Sequence, residues 1–265
     1  MNTKKIKTLA LSTTSMLILL LTFTGCGKPK TYKPLNILFI GNSYTYYGDL
    51  PEVITQMALA KGRIIHHQQQ TPGGKSLAEH WQMGKAAQLI DSGNWDIVVL
   101  QDQSSMPAVK PEETQKYAKL FCDKIHAIGA TPMFYLTPAY HAPRSDPIPD
   151  MQAKLAKTYI QVAKENNALI APIGLAWQAA YKHNPDYPLH TQDNSHPAAL
   201  GVYLNGLVFY AAIYNEKPEN MITEMKVVKD GKEQIIRWDI NNKTRRQLET
   251  YTWQAMQNLA IQTNQ

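Results

Sequence analysis

Cysteine is nearly absent: the 265 residues hold two, Cys26 and Cys122. Cys122 falls in an apolar-periodic helical pattern, so it reads as a buried structural thiol and not as half of a disulfide or a nucleophile. No Cys/His group has metal-ligand spacing, and the adjacent His66-His67 would point to opposite faces of a strand, so neither a metal nor another cofactor is expected. Internal repeats are missing, and Gln68-Gln69-Gln70 is the one biased tract outside the first residues.

The long apolar run needed for a spanning helix is also missing. Residues 9–23 are apolar with Ser and Thr interspersed, too short to cross a bilayer comfortably, and they follow Lys4, Lys5 and Lys7. That layout predicts a secretory signal over residues 1–26. Thr24-Gly25-Cys26 resembles a bacterial lipobox, which implies lipidation of Cys26 and a membrane-anchored lipoprotein of the bacterial cell envelope; Phe23 departs from the aliphatic residue usual there, and an ordinary signal peptide or an uncleaved anchor is the alternative. Residues 27–34, rich in Lys and Pro, read as a tether. The formal charge of +6, less the three leader lysines, leaves +3 for the mature chain, which is no nucleic-acid footprint.

What remains is long enough for one large domain, residues 35–265, built from alternating strand and helix patterns. Strands are expected at 35–40, 63–69, 95–100, 131–136 and 168–173, and helices at 51–60, 76–90, 111–128, 150–166 and 196–214. Near-continuously apolar strands between helices predict a flavodoxin-like α/β three-layer sandwich around a five-stranded parallel sheet, with ligands at the strands' carboxyl edge. From 215 to 265 the pattern changes to a hairpin, 224–228 with 234–238, and an amphipathic helix over 242–261, an appendage without visible chemistry of its own.

Two segments carry chemistry. Leu35 to Ile40 runs into Gly41-Asn42-Ser43, where the glycine permits a sharp turn that presents the serine at a strand's carboxyl end. Near the other terminus, Asp193-Asn194-Ser195-His196-Pro197 places a carboxylate three positions before an imidazole. From that offset the acid can hold Nδ1 and leave Nε2 for a nucleophile. Either segment alone reads as an ordinary turn or helix cap; the pair, at the two ends of a βα array, reads as a catalytic triad of Ser43, His196 and Asp193.

In this order the two blocks resemble the SGNH (GDSL-like) hydrolase family, over about residues 35–214, with Asn42 where the commoner pattern has Asp. The resemblance implies an oxyanion hole of three donors: the Ser43 N–H, a glycine after the second strand, and an Asn after the third. Gly74, in Thr71-Pro72-Gly73-Gly74-Lys75-Ser76, lines up best for the glycine, with Gly73 the alternative. Gln103 stands where the Asn would fall, one methylene longer, with Gln101 as the other candidate. Tyr44 and His80 are candidate substrate contacts, as are Tyr46, Tyr47 and Trp81, and each is equally readable as packing.

The resemblance implies an extracytoplasmic serine esterase acting through an acyl-enzyme on short, acetyl-type esters, including those of carbohydrates. Within the class, a thioesterase or lysophospholipase is the alternative; outside it, a ligand-binding lipoprotein that keeps the fold without the reaction. The chain has no long apolar lid of the kind a long-chain lipase would use.

Overall fold

The computed structural model describes residues 32–229 and 232–263, so the expected signal, Cys26 and most of the tether lie outside the described residues. Five parallel strands, β1 (Leu35–Ile40), β2 (Ile65–Gln70), β3 (Ile97–Leu100), β4 (Thr131–Tyr135) and β5 (Leu169–Ala171), form one sheet in the order β2-β1-β3-β4-β5. The order reverses at β1, so the chain leaves β1 and β3 in opposite directions and a crevice opens between their carboxyl ends.

Alternation along the strands divides the interior into two cores. Ile37 and Phe39 of β1, Ile97 and Val99 of β3, and Met133 and Tyr135 of β4 face one side. They pack on α2 (Leu50–Leu59), α8 (Ile173–His183) and α9 (Ala199–Tyr214). Leu38, Ile40, Val98, Leu100 and Phe134 face the other side, against α3 (Leu77–Met83), α4 (Lys85–Ser92), α6 (Pro111–Ala127) and α7 (Met151–Glu165). Two short helices complete the order, α1 (Ser43–Tyr46) and α5 (Met106–Val109). The edge strand β2 carries the polar sequence Ile65-His66-His67-Gln68-Gln69-Gln70, with His66 exposed and half-buried His67 accepting or donating at Thr55 Oγ1, 2.9 Å away.

Several boundaries differ from the sequence expectation. The helix expected over 76–90 is two helices, because Gly84 sits at φ 71° and closes α3 before α4 begins. The helix expected to start at His196 starts at Ala199, so His196 and Pro197 belong to the preceding loop, where Pro197 bridges to His190. Helix α8 went unread because its alternating small and apolar residues continue the apolar run of β5. Residues 200–211 of α9 are all buried, so this helix is core on every side and carries no amphipathic stripe. Cys122 is buried in α6, and burial pushes its thiol up to about 12.

Beyond α9 the chain forms an antiparallel hairpin, β6 (Glu224–Lys229) with β7 (Lys232–Arg237), then α10 (Asn242–Thr263). Buried Met225, Trp238, Leu248, Tyr251 and Ala255 join the core shared with α8 and α9, which fixes the appendage to the main domain. Among the described residues no helix is long and apolar enough to cross a membrane.

Candidate active site

The turn after β1 is held from three directions. Gly41 is tightly enclosed: a Cβ there would lie 2.5 Å from both Gln101 Oε1 and Thr45 Oγ1. Asn42 donates its N–H to Gln101 Oε1 (2.9 Å) and its side-chain amide to the Lys75 carbonyl (2.9 Å), while its Oδ1 accepts from the Tyr44 N–H and from Gln101 Nε2. Asn42 is therefore the N-cap of α1, and Ser43 is the first helical residue. A first-turn N–H has no intrahelical acceptor, so the Ser43 N–H is left pointing out of the helix end.

His196 lies over that serine. Its Nε2 is 2.8 Å from Ser43 Oγ and its Nδ1 is 2.5 Å from Asp193 Oδ2. Tyr47 stacks on the imidazole at 4.4 Å and 14°, and Tyr44 leans against it at 5.6 Å. The two oxygens of Asp193 divide their work. Oδ1 accepts from Thr191 Oγ1 (2.7 Å) and from the N–H groups of Ser195 (2.9 Å) and His196 (3.0 Å), leaving Oδ2 for the imidazole. Burial alone would raise this carboxyl, but the hydrogen bonds from His196, Thr191 and the two backbone amides outweigh it and hold Asp193 well below the usual carboxylate range.

The loop between β4 and α7 clamps the same segment. Arg144 donates to the Asp193 carbonyl (3.0 Å) and lies over the Tyr140 ring, the His141 N–H donates to the Asn194 carbonyl (2.9 Å), and Asn194 donates to Pro143 O (2.9 Å). His190 is in mutual ring contact with Tyr181 and His141, with Nδ1 2.7 Å from the Tyr181 hydroxyl and Nε2 3.1 Å from the Ala139 carbonyl; burial brings it down to about 4. A carbonyl only accepts, so Nε2 carries the proton and Nδ1 accepts from tyrosine.

The structure thus brings Ser43, His196 and Asp193 into one hydrogen-bonded line. Gly74 has φ 71° in a turn closed by the Lys75 N–H on Pro72 O, with no neighbour within 4 Å of where a Cβ would be, and the Asn42–Lys75 bond ties this turn to the serine's. Gln103 turns its Oε1 back on the N–H groups of Ser105 and Met106 and on Ser105 Oγ, leaving its amide nitrogen outside these bonds. Gln101 is wholly buried and spends both ends of its amide on the serine turn and its own loop, the Nε2 also donating to the Asp102 carbonyl.

Tyr44 and His80 do not line an open substrate surface. His80 has no exposed surface, and its Nε2 holds the Gly41 carbonyl at 2.8 Å; Tyr44 is 2% exposed and meets Ser195 Oγ at 3.0 Å. Both face inward because α1 and α3 pack against the turn, so they brace the serine and histidine from behind. One supporting residue escaped the sequence reading: buried Asp102 accepts from the N–H groups of Leu77 and Gln103 and from Thr114 Oγ1, linking the β3 loop to the starts of α3 and α6. Its signal was an acid two residues after a buried strand, a position that burial makes costly unless it is bonded; burial raises its carboxyl. Among the described residues no group of three or more His, Cys, Asp or Glu could hold a metal ion.

No protein-family model matches the sequence, and no curated protein does. Solved structures do. A protein assigned to the SGNH hydrolases, from Slackia heliotrinireducens, is 26% identical with a TM-score of 0.61, over 68% of this chain and 100% of that one. A DUF4886 family protein from Bacteroides uniformis is 16% identical, TM-score 0.61, over 84% and 95%. A variant of an acetyl-xylooligosaccharide esterase from Geobacillus is 16% identical, TM-score 0.53, over 69% and 93%; these last two are likenesses of fold alone. The five-stranded parallel sheet with helices on both faces is the fold these likenesses share, and the chain is similar to the SGNH (GDSL-like) hydrolases.

Proposed function

We propose that the chain is an extracytoplasmic esterase that removes short acyl groups, acetyl foremost, through an acyl-enzyme on Ser43. The observation that carries this reading is the His196 imidazole spanning Ser43 Oγ and Asp193 Oδ2. With Nδ1–H donated to Asp193, Nε2 accepts the Ser43 proton as Oγ attacks the ester carbonyl. The resulting imidazolium, stabilised by Asp193, then gives that proton to the departing alcohol. Water, deprotonated by the same Nε2, attacks the acyl-serine and releases the carboxylic acid.

The developing oxyanion is received by the N–H groups of Ser43 and Gly74 and by the Gln103 amide. Loss of one such donor costs about 3 kcal/mol of transition-state stabilisation, roughly a hundredfold in kcat, with ground-state binding little changed. Gln103→Ala is therefore expected to lower kcat about a hundredfold at nearly constant KM. Gln101→Ala, which strips a buried N–H and hydroxyl of their acceptor, is expected to lower the melting temperature as well, by several degrees for a loss of about 1–3 kcal/mol. If Gln103→Ala leaves kcat unchanged, the third donor is elsewhere.

Hydrolysis of p-nitrophenyl acetate, butyrate and octanoate tests the acyl preference. The expected order is acetate first, with kcat/KM falling as the chain lengthens; a preference for octanoate would move the protein to the thioesterase or lysophospholipase class, and no turnover of any ester would leave a ligand-binding protein. The envelope location rests on the sequence of the first residues alone. Cys26→Ser is expected to abolish incorporation of radiolabelled palmitate, and failure of the unaltered protein to take up label would refute the anchor.

A further inference from the structure

A cleft of about 930 Å³ opens beside the histidine, between β2, α2, the start of α9 and the C-terminal hairpin. Ser43 and His196 do not themselves line it; it adjoins the site through the segment that follows the histidine. Pro197 and Ala198, which follow His196, form part of its wall, as does Tyr46, whose ring stacks on Tyr47 over the imidazole; neither the Gly74 turn nor the Gln103 loop contributes to it. The departing alcohol takes its proton from His196, so it leaves on this side. The volume is at the upper end of small-molecule sites, about 300–1,000 Å³, and far exceeds what an acetyl group requires.

The lining is chemically mixed. The exposed ring of Tyr46 lines it together with the amides of Gln69 and Gln234 and the carboxylates of Asp49 and Glu52, while Trp238, which also lines it, is largely buried. Rings suit the C–H faces of a sugar, and amide and carboxylate oxygens suit its hydroxyls. Asp49 stands at the N-cap position of α2 with an exposed carboxylate. It follows Gly48 (φ 61°) in a second left-handed conformation (φ 53°), its side chain does not cap α2, and it has no hydrogen-bond or ion-pair partner among the described residues. Glu52 is oriented by the Gln56 amide at 2.7 Å. Two carboxylates against the one ammonium of Lys226 leave the cleft unfavourable to an anion.

We propose that this cleft is the leaving-group subsite, that it takes a neutral sugar residue of an acylated glycan, and that Asp49 and Glu52 exclude acidic glycans. The proposal rests on the esterase reading of the triad. It is tested with the full chain in detergent on three probes: p-nitrophenyl acetate, acetylated xylo-oligosaccharides as neutral sugar esters, and acetylated oligogalacturonides as acidic ones. The expected result is a kcat/KM for the neutral oligosaccharide at least about tenfold above the acidic one, a ratio that the double variant Asp49→Asn, Glu52→Gln reduces about tenfold. Asparagine tolerates the left-handed backbone, so the variant is expected to fold, and its thermal midpoint checks this. Asp49→Ala is expected to raise KM for the neutral oligosaccharide about fivefold.

Turnover of p-nitrophenyl acetate with an unchanged neutral-to-acidic ratio in the double variant would overturn the subsite and leave the esterase standing. No turnover of p-nitrophenyl acetate by the unaltered chain would overturn the esterase reading and the subsite together.

Discussion

Ser43→Ala and His196→Ala are each expected to lower kcat on p-nitrophenyl acetate by about 10⁴ to 10⁶, and the double variant by little more than either alone. The nucleophile and the base share one proton along a 2.8 Å contact, so removing one leaves the other without a task. The residual rate comes from the oxyanion donors and substrate binding, which both variants keep. Neither substitution empties a buried site or breaks the turn, since Asn42 and Gln101 hold the backbone at Ser43, so melting temperatures are expected to stay within a few degrees. Additive losses in a double-variant cycle would mean that the two residues do not act as a unit.

Asp193→Asn is expected to cost about 10³ to 10⁴ in kcat for a different reason. Three donors already occupy Asp193 Oδ1, so an asparagine placed there keeps its carbonyl oxygen on them and turns its NH₂ toward the imidazole. Nδ1 must then accept, Nε2 carries the proton, and the histidine faces Ser43 as a donor that cannot serve as base. The substitution also has a pH signature. The folded carboxyl sits below its ordinary value near 4, so its contribution to stability is fully present above that value and is lost as pH falls through the folded one. The stability gap between the parent and Asp193→Asn is therefore expected to narrow as pH falls below about 4. A gap that widened on acidification would contradict the hydrogen-bond assignment.

The sequence was most legible where local chemistry and global fold agree. The largely apolar hexapeptide Leu35–Ile40 running into Gly41 reads as a buried strand with a sharp exit, and Asp193 and His196 carry their spacing in the chain itself. Tertiary context defeated the reading elsewhere. Nothing local says that His80 will be drawn under the turn to hold Gly41 O, because that bond joins positions 39 residues apart. Gln101 and Gln103 are chemically identical two residues apart, and their different tasks are decided by which one the β1 turn approaches. The cleft was illegible for the same reason. Its walls come from β2, α2, α9 and the hairpin, and the hairpin read as an appendage because its packing against α9 through Trp238 and Tyr203 leaves no periodic trace.

The most direct test of the account is mass spectrometry of the full chain after reaction with a fluorophosphonate, which phosphonylates a serine only where a base activates it. The account predicts one adduct per chain, on the peptide containing Ser43, formed slowly or not at all in His196→Ala. An adduct on a different residue with Ser43 unmodified, in protein that hydrolyses p-nitrophenyl acetate, would contradict it.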